Sequence, residues 1–198
     1  MRPDNRTTQF RKIERLHARN MFACTVNLAR RYLAAYPRDG LVWLYYAKSL
    51  RSMARYSEAL SALRRATRWW PSARLAWVYN EFGRLYQARG AFRRAERWFR
   101  LAVEQRPSDA SHYIYLGGLL AIAGRLEEAE AVHRQGARCK EGCIDEALLN
   151  LGLVLRALER YSDARRCFQR ALAIDPKYKD ARQELSDIEG VIEQIRNA

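Results

Sequence analysis

Two cysteines spaced for metal binding are the residues of this sequence that first suggest chemistry. Cys139 and Cys143 form a C-x3-C pair within the segment RCKEGC. A structural zinc site needs four such ligands, and no two further ligands stand at partner spacing. His133 and Cys167, which are distant in the sequence, would have to lie near the two cysteines in the fold to complete the four zinc ligands. Without that arrangement, we predict that the protein holds no metal.

The three histidines do not form a catalytic pattern. His17, His112 and His133 lie far apart, and the sequence has neither a G-x-S-x-G nucleophile motif nor a glycine-rich phosphate loop after a strand. His133 is expected to pack in the core, because two sister segments carry Phe at the matching place. Cys167 is expected to be a small packed residue. We therefore predict a protein that is not an enzyme and uses no cofactor.

Composition indicates a globular and strongly basic chain. The 198 residues are 48% hydrophobic and 29% charged, with 36 Lys+Arg against 22 Asp+Glu and a net charge of +14. No apolar run approaches the roughly 18 residues of a membrane-spanning helix. Residues Met1–Asn20 lack the apolar stretch of an export signal. They are rich in arginine, as an organellar transit peptide would be. With cysteines too sparse for a disulfide framework, these features predict a cytoplasmic protein with anionic partners.

The elements that must position these residues are repeated along the chain. Four related segments begin at Trp43, Tyr79, Tyr113 and Leu148, at offsets of 36, 34 and 35 residues. Each is followed at a fixed distance by a second segment. Large apolar residues recur at spacings of three and four, which predicts paired amphipathic helices. Three copies end in a proline, namely Pro71, Pro107 and Pro176.

Small residues mark where the two helices of each pair are expected to approach closely. Gly90 and Gly124 fall in the turn between the helices, where a left-handed backbone favours glycine. The small residues of the first helices are Ala47, Gly83, Gly117 and Gly152. Those of the second helices are Ala59, Ala95, Ala129 and Ala164.

This pattern resembles the tetratricopeptide repeat (TPR) family, whose signature is W-x2-L-G-x2-Y…A-x3-F…P. The fourth copy matches it nearly as well as the second. The resemblance implies an all-α fold, a right-handed α-solenoid of stacked helix hairpins (TPR superhelix) with a C-terminal capping helix. The matching residues of the second copy are Tyr79, Phe82, Gly83, Tyr86, Ala95, Phe99, Ala102 and Pro107.

We expect a single array over residues 1–198. A degenerate repeat spans 6–39, where Lys12 and Thr25 break the pattern. Residues 179–197 are more acidic and less apolar, which is typical of a capping helix that closes a stacked core. The clear repeats are 40–75, 76–109, 110–144 and 145–178.

The resemblance also implies binding on the concave surface that the first helices form. Positions not used in packing present aromatic, aliphatic and amide groups, which suit an extended peptide segment with apolar side chains. The alternative for each residue is packing against a neighbouring repeat. The Lys and Asn clamp by which chaperone-binding members hold a terminal carboxylate is missing, so such a tail is not the expected ligand. The predicted peptide-binding residues are Leu41, Leu44, Tyr45, Lys48, Trp77, Asn80, Glu81, Arg84, Ile114, Tyr115, Leu149 and Asn150.

Basic residues concentrate in the first half of the chain. Residues 1–109 carry 23 Lys+Arg and 8 Asp+Glu, whereas residues 110–198 carry 13 and 14. The excess is interpreted either as a docking face for an acidic partner surface, anionic lipid or nucleic acid, or as a solvated convex face. Much of it lies on second helices, at Arg64, Arg65, Arg68, Arg93, Arg94, Arg97 and Arg100.

The function predicted from the sequence is that of an adaptor or scaffold without enzymatic activity. It would bind a segment of another protein in the concave groove, and the basic N-terminal half would offer a second docking surface. A nucleic-acid-binding solenoid that uses the basic half is the alternative.

Overall fold

Helices form almost the whole of the protein. The structure is a computed structural model that describes residues 5–197, with the backbone alone described at Ala73. This range contains eleven α-helices and no strand, so the predicted all-α class of stacked helix hairpins is confirmed. None of its helices is long and apolar enough to cross a membrane. The first four residues of the expected array, which also begin the segment Met1–Asn20, and Ala198 lie outside the described residues.

The chain divides into two compact units, with the division inside one helix. Unit 1 ends at Trp98 and unit 2 begins at Phe99. A short 3-10 turn, Ser72–Arg74, precedes the fifth helix. Unit 1 contains α1 (Asn5–Ala18), α2 (Phe22–Ala35), α3 (Gly40–Ser52), α4 (Tyr56–Trp69), α5 (Leu75–Ala88) and the first half of α6 (Phe92–Gln105).

Unit 2 continues the same pattern of hairpins. Within it α7 contacts α8 and α9, and within unit 1 α3 contacts α1, α4 and α5. The first helices of successive hairpins therefore lie side by side in each unit. The final helix packs on α10 and α9 as predicted for a capping helix, with Ala181 and Ile188 buried. Unit 2 contains the end of α6, α7 (Ala110–Ile122), α8 (Leu126–Gly136), α9 (Ile144–Ala157), α10 (Tyr161–Ile174) and α11 (Lys179–Asn197).

The hairpin turns share a residue with left-handed backbone. Gly90 and Gly124 have φ of 71° and 74°, as their place in the sequence led us to expect. Asn20, Ala54 and Glu159 adopt the same conformation, with φ of 56°, 56° and 60°. A side chain with a Cβ disfavours this region. The helices on both sides, rather than local preference, therefore hold Ala54 and Glu159 in it.

Two aspartates begin first helices. The Asp39 carboxylate accepts a hydrogen bond from the Val42 amide at 3.2 Å, and Asp109 accepts one from the Ser111 amide at 3.0 Å. Each bond satisfies an amide that has no partner within its helix. The Tyr32 hydroxyl donates to Asp39 at 2.8 Å. The start of α3 is therefore tied to α2.

Glycine allows the two helices of a hairpin to touch in unit 2. A Cβ placed on Gly152 would lie 2.4 Å from the Phe168 ring, and one on Gly117 would lie 2.5 Å from the His133 ring. Phe168 is 0% and His133 1% exposed. The space that each glycine leaves is filled by an aromatic ring. The prediction that His133 is a packed core residue is confirmed.

His133 is an uncharged ring in an apolar environment. Burial lowers the pKa of His133 to about 4. Its Nδ1 atom has no hydrogen-bond partner among the described residues. Between the pKa of the unfolded chain, near 6.5, and that of the folded protein, the unfolded state binds a proton that the folded state does not. The free energy of unfolding therefore decreases as the pH falls through this window.

We expect His133→Phe to flatten this acid-dependent loss of stability. Phe168 fills the matching place beside Gly152, so a phenyl ring fits this type of site. Through His133 the wild type should lose about 3 kcal/mol between pH 7 and pH 4, and the variant should be spared that loss. Urea denaturation across this range measures the difference. Parallel pH profiles for the two proteins would contradict a neutral buried imidazole.

Adjacent glycines of α7 provide a matched test of the close approach. We expect Gly117→Ala to lower the free energy of unfolding by about 1–3 kcal/mol, because its Cβ meets the His133 ring. Gly118 has no such neighbour within 4 Å. Gly118→Ala should therefore raise stability by about 0.5–1 kcal/mol through helix propensity. Equal midpoints of urea denaturation for the two variants would show that the helices do not meet at Gly117.

Candidate functional site

The first helices α3 and α5 place predicted ligand-binding residues side by side in unit 1. Tyr45 and Lys48 share a face of α3, and Trp77, Glu81 and Arg84 share a face of α5, because residues three and four apart are neighbours on a helix. The Glu81 carboxylate lies 3.8 Å from the Lys48 Nζ atom. The two faces therefore adjoin, and together they are called the unit 1 face.

Glu81 is the electrostatic centre of the unit 1 face. Its side chain is 5% exposed, and a buried carboxylate needs nearby positive charge. Arg51 Nε and an Arg84 guanidinium nitrogen lie 3.4 and 3.2 Å from its oxygens, in addition to Lys48. Three cations thus surround one carboxylate. The resulting excess of positive charge favours an anionic group on a ligand.

Two residues of α1 also lie at this face. The His17 Nδ1 atom is 3.0 Å from the Ser49 hydroxyl, and its ring centroid is 5.2 Å from that of Tyr45. The Tyr45 hydroxyl donates to the Glu14 carboxylate at 3.1 Å. His17 and Glu14 were not predicted at this face from the sequence, because the first repeat is degenerate. The signal that could have found them is the register of residues 6–39, which makes α1 a first helix beside α3.

Both titratable rings of the unit 1 face remain uncharged at neutral pH. Partial burial, followed by the positive charge of Lys48, lowers the pKa of His17, whereas Glu81 opposes this shift. Burial, together with the hydrogen bond to Glu14, raises the pKa of Tyr45 to about 12. The formal net charge of the face is therefore set by Lys48, Arg51 and Arg84 against Glu81 and Glu14, which leaves an excess of one positive charge.

Four predicted ligand-binding residues are buried, which differs from the expectation that they face solvent. Leu44, Asn80, Glu81 and Leu149 are 4%, 1%, 4% and 7% exposed. Leu44 and Leu149 belong to the hydrophobic cores of their units, because neighbouring helices cover these positions. Half-buried side chains make up the rest of the predicted set: Leu41, Tyr45, Lys48, Trp77, Arg84, Ile114, Tyr115 and Asn150.

In unit 2 the remaining predicted residues lie on α7 and α9, which contact each other. Ile114 and Tyr115 are half-buried on α7. The Tyr115 ring stacks on that of Phe99, with centroids 5.8 Å apart and planes 12° apart. The Asn150 side-chain amide donates to the Glu146 backbone carbonyl at 2.9 Å, so one of its donors is used within α9. These three predicted residues on α7 and α9 are called the unit 2 face.

The arginines of the predicted basic face lie at the surface. The Arg65 guanidinium lies 4.9 Å from the Trp43 ring centroid, and that of Arg68 lies 5.1 Å from Trp69. Such cation–π contacts orient the cation without neutralising it. The predicted members, all exposed, are Arg64, Arg65 and Arg68 on α4, and Arg93, Arg94, Arg97 and Arg100 on α6.

The cysteines are free thiols. The Cys139 thiol lies 3.5 Å from the backbone carbonyls of Pro107 and Gln135. Cys167 is 7% exposed and packs in the hydrophobic core, as predicted. Across residues 5–197, no group of three or more His, Cys, Asp and Glu side chains is arranged to hold a metal ion.

Comparison with known proteins identifies the repeats. Two family models described as tetratricopeptide repeat match residues 80–142 and 145–178. Human DnaJ homolog subfamily C member 7 is 30% identical over 120 residues, which are 61% of this chain and 24% of that protein. The chain therefore spans about a quarter of the length of this relative.

Solved structures show the same fold at low sequence identity. The thermophilic TPR protein TTC0263 of Thermus thermophilus superposes with a TM-score of 0.67 at 19% identity, covering 92% of this chain and 98% of that one. YrrB, a TPR protein with an unusual peptide-binding site, gives 0.57 at 18% identity, covering 86% and 87%. The two matched models identify residues 80–142 and 145–178 as tetratricopeptide repeats, and these solved structures share the fold of stacked helix hairpins.

Proposed function

We propose that the protein is a non-enzymatic adaptor that binds an extended segment of a partner protein on the unit 1 face. The observation that carries this proposal is the combination of half-buried aromatic residues with excess positive charge. Tyr45 and Trp77 supply the aromatic surface. Lys48 and Arg84 border the same face beside Glu81. A segment that carries apolar and acidic side chains would complement both features.

The chemistry of the unit 1 face supports binding rather than catalysis. His17 is held neutral by burial and by Lys48, and its Nδ1 atom is engaged by Ser49. Glu81 is enclosed by cations. Aromatic rings provide large contact areas at low cost in side-chain entropy. The peptide-binding site named for YrrB gives further support from a protein of the same fold.

The unit 2 face is proposed as a further contact surface of the same kind. Ile114 and Tyr115 provide apolar area, and Tyr115 is held in place by its stacking on Phe99. Asn150 retains an amide oxygen as an acceptor for a peptide backbone. A scaffold with such surfaces would work in the cytoplasm, in keeping with its sparse cysteines.

The proposed division into repeats is supported by the helix bounds. Every hairpin from α3 to α10 begins and ends within one residue of, or inside, a proposed repeat. The helices α1 and α2 fill the degenerate repeat 6–39 in the same way. The division that we propose is the one expected from the sequence, a single array over residues 1–198 with repeats at 40–75, 76–109, 110–144 and 145–178.

We expect Trp77→Ala to weaken peptide binding on the unit 1 face by at least about 30-fold, because truncating an aromatic anchor costs about 2 kcal/mol. Peptides selected from a random library on the wild-type protein provide the ligands, and fluorescence anisotropy measures their affinity. Trp69→Ala is the matched control, because Trp69 is an exposed tryptophan on the second helix α4. The selected peptides should be enriched in apolar and acidic residues. Equal affinities for the two variants would contradict binding at this face.

We propose the exposed arginines of α4 and α6 as a second docking surface, with nucleic acid as the alternative to an acidic protein. The Arg65 guanidinium lies over the Trp43 ring, and this observation supports nucleic acid as a ligand, because cations and aromatic rings together bind single strands. The other interpretations of these arginines from the sequence were a docking face for anionic lipid and a solvated convex face.

Charge reversal distinguishes nucleic acid from an acidic protein as the ligand. If nucleic acid is the ligand, we expect Arg93, Arg97 and Arg100 changed together to Glu to weaken binding of a single-stranded DNA oligonucleotide strongly, and to reduce the salt slope of the remaining binding by about 2. Stability should change by no more than about 0.5 kcal/mol per exposed site. The matched control reverses Lys177, Lys179 and Arg182. Oligonucleotide binding that is absent in the wild type, or lost equally in both triple variants, would exclude nucleic acid as the ligand of this face.

A further inference from the structure

Unit 2 contains a second feature, an arginine-lined pocket that lies apart from the unit 2 face. A cavity of about 380 Å3 opens between α8, α9 and α10. None of the predicted peptide-binding residues lines it. Five arginines form much of its wall, and they are Arg134, Arg138, Arg160, Arg166 and Arg170.

Two carboxylates neutralise part of this charge. Glu130 accepts a hydrogen bond from Arg160 at 2.7 Å and pairs with Arg134. Asp163 accepts one from Arg160 at 2.6 Å and pairs with Arg166. These ion pairs orient the three arginines around the cavity.

The two other arginines leave the pocket with excess positive charge. Arg138 and Arg170 are exposed and form no ion pair with any carboxylate in the described part of the chain. Five guanidinium groups therefore face two carboxylates, Glu130 and Asp163. Residues 99–198 carry 15 Lys+Arg and 16 Asp+Glu. The pocket is thus strongly positive within a unit that has almost no net charge.

The floor of the pocket is apolar. Leu151, Leu155 and Cys167 are 4%, 2% and 7% exposed. Burial raises the pKa of the Cys167 thiol; the positive charge of Arg170 acts to lower it, the negative charge of Asp163 acts to raise it, and Arg134 and Arg166 act to lower it. The arginine charges therefore act at the floor. An anion seated there is partly removed from water, which strengthens its attraction to the guanidinium groups.

The chemistry of the wall favours a phosphate monoester. Guanidinium binds the oxygens of phosphate with two parallel hydrogen bonds. A phosphorylated side chain carries a charge of about −1.5 to −2 at neutral pH, which suits the excess positive charge better than a single carboxylate does. The cavity is also near the lower end of the roughly 300–1,000 Å3 range for ligand pockets, so it is large enough for one side chain. A nucleic-acid strand would need a continuous basic surface, which the nearly neutral unit does not favour.

We propose that this pocket binds the phosphate group of a phosphorylated side chain on a partner protein. Arg138 and Arg170 would contact the phosphate oxygens directly. The three paired arginines would complete the positive field around it. An adaptor built in this way would select partners by their phosphorylation state, through a surface separate from the unit 1 face.

Isothermal titration calorimetry of the full chain with phenyl phosphate tests the pocket, because this probe reproduces a phosphorylated tyrosine side chain. Phenyl sulfate has the same shape but a single negative charge, and we expect it to bind at least about tenfold more weakly at pH 7.5. Lowering the pH to about 5.5 protonates the phosphate and should remove most of this difference. Equal affinity for phosphate and sulfate at pH 7.5 would overturn the proposal.

Paired variants locate the binding. Arg138→Gln combined with Arg170→Gln should weaken phenyl phosphate binding at least about tenfold, while circular dichroism confirms that these exposed changes preserve the fold. Lys177→Gln combined with Lys179→Gln removes the same charge from exposed positions that do not line the pocket, and should change the affinity less than about twofold. Equal losses in the two pairs would overturn the site. Trp77→Ala should leave phenyl phosphate binding unchanged, so failure of the peptide-binding proposal is distinguishable from failure of this one.

Competing probes establish the source of the phosphate. We expect inorganic phosphate and ATP to bind no more tightly than phenyl phosphate. Tenfold tighter binding of either one would overturn the assignment to a protein side chain in favour of a free phosphate compound. Binding of a DNA oligonucleotide that is abolished by the Arg138 and Arg170 changes would overturn it in favour of nucleic acid.

Discussion

The fold of each hairpin in unit 2 depends on a contact between a glycine and an aromatic ring. At Gly152 the Phe168 ring, and at Gly117 the His133 ring, occupies space that a Cβ would need. The distance between the two helices is therefore fixed at a single point, and the helix positions follow from it. Because the first helix of a hairpin also carries the residues proposed to bind ligands, packing on one side positions the chemistry on the other. Interiors packed this closely transmit even small changes in volume.

This constraint explains why the hairpins could be predicted from the sequence and why parts of the site could not. Small residues and ring residues recur with the repeat, and glycine occupies two of the turns, so local spacing is sufficient to predict the paired helices. The burial of Glu81 is different, because it depends on Lys48 and Arg51, which belong to another helix. Leu44 shows the same limit. Its position within the repeat indicates a helix face, but coverage of that face depends on neighbouring helices.

The net charge of a segment can be counted from the sequence, but the clustering of charged groups depends on the fold. The net charge of the first half indicates a basic protein, whereas the second half is nearly balanced. Yet unit 2 holds a pocket in which arginines from α8, from α10 and from the turns beside them converge on an apolar floor. Averages over the chain conceal such sites because binding responds to charges within several ångströms of the ligand. In unit 1, the cations around Glu81 show the complementary case, where a carboxylate partly satisfies a positive cluster.

The left-handed turns have a consequence for how this protein could change. Ala54 and Glu159 hold the conformation that Gly90 and Gly124 adopt with ease, at a cost of about 1 kcal/mol each. Typical domains are stable by only about 5–15 kcal/mol, so the cost at these two turns is a sizeable fraction of the free energy of unfolding. Substitution of glycine at each turn would remove this cost. Stability gained at Ala54 would change none of the residues proposed to bind ligands, and it could offset the cost of new, destabilising specificities.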